Sequence, residues 1–168
     1  YMVEYDFSGM GRSYTMTQFM DSGRMRVDMV MPDSESRTFW MNDDFYMCNK
    51  MEIDWQCMAM EDTGEQLAPT QQFKDYEERP DDFGFVNRGT KKVAGATANC
   101  YGVDVPTGSV EYCLSNEGIP LYVKTTSEQG TVKMEAKKYS TSVSDSDFEL
   151  PGEPVDMAAY MQQNMGDY

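Results

Sequence analysis

The residues best equipped for chemistry in this chain are sulfur-bearing. Four cysteines fall into two sequence-local pairs, and sixteen methionines recur along the chain. A loop at Met51-Glu52-Ile53-Asp54 sets Lys50 opposite Trp55 and therefore Cys48 opposite Cys57. A turn at Val105-Pro106-Thr107-Gly108, with Pro second and Gly fourth, suits type I geometry. It sets Val103 opposite Val110, Tyr101 opposite Tyr112 and Cys100 opposite Cys113. Both pairs are expected to be disulfides, each stabilising by roughly 2–3 kcal/mol through loop closure. Zinc is the competing use, but neither spacing is C-x₂-C. Disulfides imply an oxidising, extracytoplasmic setting: secreted, periplasmic or cell-surface.

Met25, Met29, Met31, Met47, Met58 and Met60 lie on predicted strands. Met29-Val30-Met31 and Met58-Ala59-Met60 each place two thioethers on one face. Soft thioethers so spaced can hold Cu(I). Adaptable methionine also fills cores and lines apolar grooves. The core-filling reading is preferred, and no metal or cofactor is expected. The acidic turns Asp43-Asp44, Asp81-Asp82 and Asp145-Ser146-Asp147 carry oxygens suited to Ca²⁺ without an EF-hand pattern, and read as solvated turns. The chain has no histidine, which excludes imidazole base catalysis and His-ligated zinc. Serines occur in turn-like settings without G-x-S-x-G. No catalytic residue is assigned, and an enzyme is not expected. No N-x-S/T sequon is present.

These side chains need a sheet to position them. Alternation predicts strands at 2–8, 12–20, 24–31, 37–41, 45–49 and 55–60, with Pro32 to Ser36 as a loop. On the third strand Met25, Val27, Met29 and Met31 share one face, and Arg24, Arg26 and Asp28 the other. The stretch 91–151 reads as a meander. Its turn at Ser115-Asn116-Glu117-Gly118 sets Tyr112 opposite Leu121 and Val110 opposite Val123. Its turn at Ser127-Glu128-Gln129-Gly130 sets Val123 opposite Met134 and Leu121 opposite Ala136. One face then carries Tyr101, Val103, Val110, Tyr112, Leu121, Val123, Met134 and Ala136, and the other Glu111, Tyr122, Lys124, Lys133, Glu135 and both cysteines. A sheet with one apolar face must bury it.

Residues 61–90 break the pattern. They are polar and acidic, with a short helix expected between Pro69 and Arg79, stopped by Pro80, crossing the open mouth of the sheet. Residues 154–165 are expected to form a second helix, with Pro154 in its first turn. The domain reading is one β domain over 1–151 and a helix or tail over 152–168. The chain of 168 residues suffices for a real core. It opens at Tyr1 without an initiator methionine, so either a leader has been removed or the chain was made to begin there. Net charge is −15, which argues against nucleic-acid binding and against docking on anionic headgroups. No stretch has the length of apolar sequence needed to span a membrane.

Two segments resemble the LolA/LolB lipoprotein-carrier superfamily and its surface-lipoprotein relatives. One is YTMTQFMDSGRMRVDM (14–29), with its "GRMR" strand start. The other is GIPLYVKTTSEQGTVKMEAKKYSTSVSDSDFELP (118–151), with a "G-x-P-L" strand and a closing "D-x-D-F-x-L-P". The resemblance implies a mainly β fold, a curved, unclosed antiparallel sheet or half-barrel wrapped around one or two short helical segments. In the carriers the cavity of this fold holds acyl chains. The functional expectation is a non-catalytic extracytoplasmic binding or carrier-like domain. Its apolar groove, for a lipid or other hydrophobic ligand, would be lined by Met25, Val27, Met29, Tyr101, Val103, Val110, Tyr112, Leu121, Val123 and Met134. The alternative is a structural subunit of a surface layer or filament. Self-association would then run through an edge strand, with 1–8 the candidate edge, or through the C-terminal tail.

Overall fold

The computed structural model describes residues 1–41, 44–60 and 84–156. They form a 12-stranded sheet of order β12-β6-β5-β4-β3-β2-β1-β11-β10-β9-β8-β7. The strands are β1 (Met2–Gly9), β2 (Arg12–Asp21), β3 (Arg24–Met31), β4 (Ser34–Met41), β5 (Asp44–Met51), β6 (Asp54–Met60), β7 (Val86–Val93), β8 (Ala96–Val105), β9 (Gly108–Leu114), β10 (Pro120–Ser127), β11 (Gly130–Ser140) and β12 (Pro154–Asp156). Different strands stand at the two ends, so the sheet is not closed. It is largely antiparallel; β12 pairs with β6 in parallel. The one described helical element is a four-residue 3-10 turn, Asp145–Phe148.

Tight turns account for most of this order. Met10-Gly11, Ser22-Gly23 and Ala94-Gly95 each place two successive residues at positive φ, the two-residue loop whose twist matches paired strands. At the Pro106-Thr107 turn, a Cβ on Gly108 would sit 1.9 Å from the Thr126 carbonyl oxygen, so only glycine fits.

Four sequence expectations need correction. Ser34 to Ser36 belong to β4, because Met31, Val30 and Met29 of β3 pair with them despite the loop-like serines. The meander register at the second turn is shifted by two residues: Tyr112 pairs with Val123 and Val110 with Thr125. One extra residue enters because the turn closes between Ser115 and Ile119, and a second enters at the bulge between Pro120 and Tyr122. The shift is even, so the side-chain faces survive it. The pairing of Val123 with Met134 is as expected. Strand β1 is interior, flanked by β2 and β11, rather than an edge. Its Glu4 and Asp6 face Lys138 (2.8 Å) and Lys137 (3.7 Å) of β11. Finally, Pro154–Asp156 is a strand rather than the start of a helix. The rest of that expected helix, 157–165, lies outside the described residues, as do the expected helix 69–79 and the crossing segment up to 83. Residues 86–90 of that segment belong to β7.

The described residues group into two compact units. One falls within Tyr1–Met2, Met16–Gly64 and Ser140–Tyr168, the other within Val3–Thr15 and Glu65–Tyr139. In the first, Phe39, Cys48 and Cys57 are buried, with Met41, Tyr46, Trp55 and Leu150 packed against them. In the second, Phe85, Tyr112 and Leu114 are buried beneath Tyr101, Val103, Val110 and Val123.

Candidate functional site

In the first unit, pairing registers assign every side chain of β3–β6 to a face. One face carries Met25, Val27, Met29 and Met31 from β3, and Ser34, Ser36, Thr38 and Trp40 from β4. It continues with Phe45, Met47, Asn49 and Met51 from β5, and Asp54, Gln56, Met58 and Met60 from β6. Asp54, beside the β5–β6 turn, is its only charged residue. The opposite face of the same strands carries Arg24, Arg26, Asp28, Glu35, Arg37, Asp44 and Lys50. Strand β2 extends the uncharged face, because the Gln18 amide donates to the Met25 sulfur at 3.6 Å, and Met16 and Met20 alternate with Gln18. Nine of the sixteen methionines thus share one face of one unit. Met25 is buried, Met47 and Met58 are half-buried, and Met31 and Met60 are each 39% exposed. Trp40 and Phe45 lie side by side, with ring centroids 5.1 Å apart.

The charged face of this unit is knitted shut. Arg26 donates to Asp28 in a two-point pair, Nε at 2.7 Å, and its Nη1 donates to the Asp147 carbonyl at 2.7 Å. Arg24 reaches Asp21 (2.6 Å) and Asp145 (2.9 Å), and its guanidinium stacks on Phe148 at 4.4 Å. The Arg24 hydrogen bond holds the Asp21 carboxyl below its usual range. Asp147 accepts from the Ser144 backbone N–H at 2.8 Å, capping the 3-10 turn. Leu150 enters the Phe39 cluster. A Cβ on Gly152 would stand 2.8 Å from the Trp55 carbonyl oxygen, so glycine lets the chain pass there to reach β6. The acidic turn 145–147 therefore acts as a fastener.

In the second unit, Tyr101, Val103, Val110, Tyr112, Val123 and Met134 share a face by register. Leu121 sits at the bulge, fully buried. Tyr112 stacks on Tyr101 (5.4 Å) and meets the edge of Phe85 (4.8 Å). Tyr101, Val103, Val110 and Val123 remain half-exposed. The other face holds the Cys100–Cys113 disulfide with Glu111 beside it, and Tyr122 beneath the Lys91 ammonium, 3.5 Å from the ring centroid. Burial, first, and then Glu111 push the Tyr122 phenol up. Lys133 donates to Glu135 at 2.8 Å, which lowers the Glu135 pKa. Both expected disulfides are present, Cys48–Cys57 and Cys100–Cys113.

The ten residues expected to line a groove thus fall in two sets, three in the first unit and seven in the second. Sequence reasoning placed both disulfides but did not connect Trp40, Phe45, Met47 and Met58 to Met25. The signal was available: the Cys48–Cys57 register fixes the parity of β5 and β6 and puts Met47 opposite Met58.

No protein-family model and no curated protein matches the chain. Solved structures do. The crystal structure of MucB superposes with a TM-score of 0.56 at 15% identity, over 90% of this chain and 57% of MucB. MucB in the Pseudomonas aeruginosa MucA/MucB complex gives a TM-score of 0.55 at 16% identity, over 89% of this chain and 54% of that one. LprF from Mycobacterium bovis gives 0.49 at 10% identity, over 90% of each chain, a likeness too distant to build on. The chain therefore spans little more than half of MucB. At these identities the likeness shows the fold alone: a mainly β, largely antiparallel, unclosed sheet. No helix among the described residues is long and apolar enough to cross a membrane.

Proposed function

We propose that this chain is a non-catalytic extracytoplasmic binding domain that receives an apolar ligand, such as a lipid, on uncharged sheet surface. The observation carrying this reading is the single-sided charge pattern of β3–β6. In a chain with 29 acidic and 14 basic residues, the face bearing Met25, Val27 and Met29 has no charge away from its rim. Unbranched methionine adapts to ligands of variable shape. The half-exposed Tyr101, Val103, Val110 and Val123, around buried Tyr112 and Leu121 and with Met134 on β11, form a second apolar surface. Two disulfides support a location outside the reducing cytoplasm. MucB, whose fold this chain resembles, is seen in complex with MucA, so a protein segment is a second class of apolar ligand to test.

A surface-layer or filament role draws less support. The described sheet ends at β7, which carries Arg88, Lys91, Lys92 and a bulge at Asn87/Gly89, and at the three-residue β12. Short, bulged or lysine-bearing edges resist strand addition.

The test is titration with the uncharged fluorophore N-phenyl-1-naphthylamine, chosen so that the net charge of −15 does not repel it. Saturable binding is expected in the wild type, weakened about tenfold by Thr38→Lys in the middle of the uncharged face and unchanged by Lys124→Ala. Absence of saturable binding, or equal binding by Thr38→Lys and Val110→Lys variants and wild type, would overturn the reading.

A further inference from the structure

We propose that Met47, Met58 and Met60 form a site for a soft monovalent metal ion, Cu(I) or its redox-stable analogue Ag(I). Register is the foundation. Met47 and Met58 are direct partners on adjacent antiparallel strands, and Met60 follows Met58 by two residues on the same face, opposite Phe45. Directly opposed Cβ atoms stand about 4.5–5.5 Å apart and diagonal ones about 7–8 Å. Three unbranched side chains span those gaps, so three thioether sulfurs can meet around one ion. Met60 is 39% exposed and its two neighbours are half-buried, which leaves the sulfurs open to an arriving ion.

The surroundings select the ion. Among the described residues, those beside the three methionines on this face are Thr38, Phe45, Asn49, Gln56 and Val155. None of these brings an ammonium that would repel a cation or a carboxylate that would offer a hard ligand. A neutral, all-thioether set favours a soft, singly charged ion over Ca²⁺, Mg²⁺ or Zn²⁺. The chain has no histidine, and all four cysteines are tied up in disulfides, so thioethers are its only soft donors. In a compartment that oxidises thiols to disulfides, thioethers keep their ligand lone pairs. They also do not titrate, so binding should not follow pH. Packing alone does not require this choice. Leucine fills the same volume, yet the chain uses it only at 67, 114, 121 and 150, and isoleucine only at 53 and 119.

The experiment is native mass spectrometry of the full chain titrated with silver nitrate in chloride-free buffer. The wild type is expected to bind Ag(I) with an affinity that is the same at about pH 7 and about pH 5. The double variant Met47→Leu/Met58→Leu should lose one bound ion, or bind it at least about tenfold more weakly. Met10→Leu, on the β1–β2 turn, should bind as the wild type does. Intact disulfides and an unchanged melting temperature would show that the double variant is folded; Met60→Leu, at a more exposed position, gives a second reading, with weakened binding expected. The proposal is overturned by no uptake in the wild type, by undiminished uptake in the double variant, or by uptake that falls steeply with pH, the mark of carboxylate ligands.

Discussion

The two units each staple one hairpin with a cross-strand disulfide, yet the staple sits differently in each. Cys48 and Cys57 are part of the first unit's apolar cluster, in contact with the layer of Phe39, Tyr46, Trp55 and Leu150. Cys100 and Cys113 lie on the face opposite the Tyr101–Tyr112 cluster, beside Glu111 and Tyr122. The first disulfide is therefore both cross-link and core. The second is equally buried, on a face that also buries Val93, Ala98 and Tyr122 but carries Glu111 beside it. The rest of each unit follows this division. The first unit keeps its charges on the core side, where Arg24 and Arg26 fasten the 145–151 segment, and leaves the opposite face free of charge. The second puts the Lys133–Glu135 pair on the disulfide side and its aromatic cluster on the other.

The comparison is most severely tested in the cores. Phe39→Ala should cost the first unit about 3–5 kcal/mol, and Leu121→Ala the second about 2–5 kcal/mol, since both residues are fully buried. Exposed Lys124→Ala should cost under about 0.5 kcal/mol. Chemical denaturation reads all three. Similar losses at Leu121 and Lys124 would show that the meander register is wrong.

Next come the disulfides. Loop closure alone gives about 2.7 kcal/mol for the shorter loop at Cys48–Cys57 and about 3.0 kcal/mol for the longer one at Cys100–Cys113. Packing adds to both, because Cys48 and Cys57 sit in the Phe39 cluster and Cys100 and Cys113 are just as buried. Cys100→Ala/Cys113→Ala is therefore expected to cost at least as much as Cys48→Ala/Cys57→Ala, because it opens the longer loop. A clearly larger loss for the Cys48–Cys57 pair would show that its place in the Phe39 cluster outweighs loop length.

How much of this was legible in the sequence depends on distance along the chain. Short hairpins announced themselves, by Pro106 and Gly108 for Cys100–Cys113 and by the short Met51–Asp54 loop for Cys48–Cys57, and with them came both disulfides and the parity of those strands. Val103 opposite Val110 needs only the turn between them. The two-residue shift at Tyr112 was hidden because the bulge at Leu121 leaves no local residue signature, and because an even shift preserves the alternation that was read. The interior place of β1 depends on β11, more than a hundred residues on, and no local pattern encodes such a pairing. Glu4 and Asp6 find their partners there, in Lys138 and Lys137. The 145–151 motif was recognised for its family likeness. Its role, holding Phe148 under Arg24 and Leu150 in the core, appears only once it meets the "GRMR" strand. Two of the three motifs that carried the resemblance, "GRMR" and "D-x-D-F-x-L-P", thus meet in this clasp. The Met47–Met58 opposition was within reach of the disulfide register but was not drawn from it.

The clasp supplies a smaller test of the same contrast. Arg24→Met keeps an aliphatic stem over Phe148 but loses the cation–π contact and the pairs with Asp21 and Asp145. A loss smaller than that from opening either disulfide is expected, because the Asp145 partner is exposed and solvent screens the pair. Amide hydrogen exchange should locate the loosening at 145–156 and leave β8–β10 protected. Equal loosening in both places would mean that the clasp is not local to the first unit.

The smallest expected effect is acid sensitivity, and it distinguishes the units by pH. In the second unit, hydrogen bonds from Ser115 and then Tyr139 lower the Glu117 pKa from its ordinary 4.5, and the bond from Lys133 does the same for Glu135. In the first, Arg24 lowers Asp21 from its ordinary 3.8. A carboxyl whose pKa is depressed by folding stabilises the protein above its unfolded value and loses that contribution as pH falls through the folded one. The second unit's contribution should therefore begin to fade near 4.5, and the first's only near 3.8. Protonation also relieves the self-repulsion of a chain with net charge −15, which pulls the other way, so each variant must be compared with the wild type at the same pH. Glu117→Gln/Glu135→Gln should melt below the wild type at neutral pH, with the gap closing as pH drops past about 4.5. Asp21→Asn should show a smaller gap that closes later. A gap that widens on acidification would mean that these carboxylates are not held by the hydrogen bonds seen here.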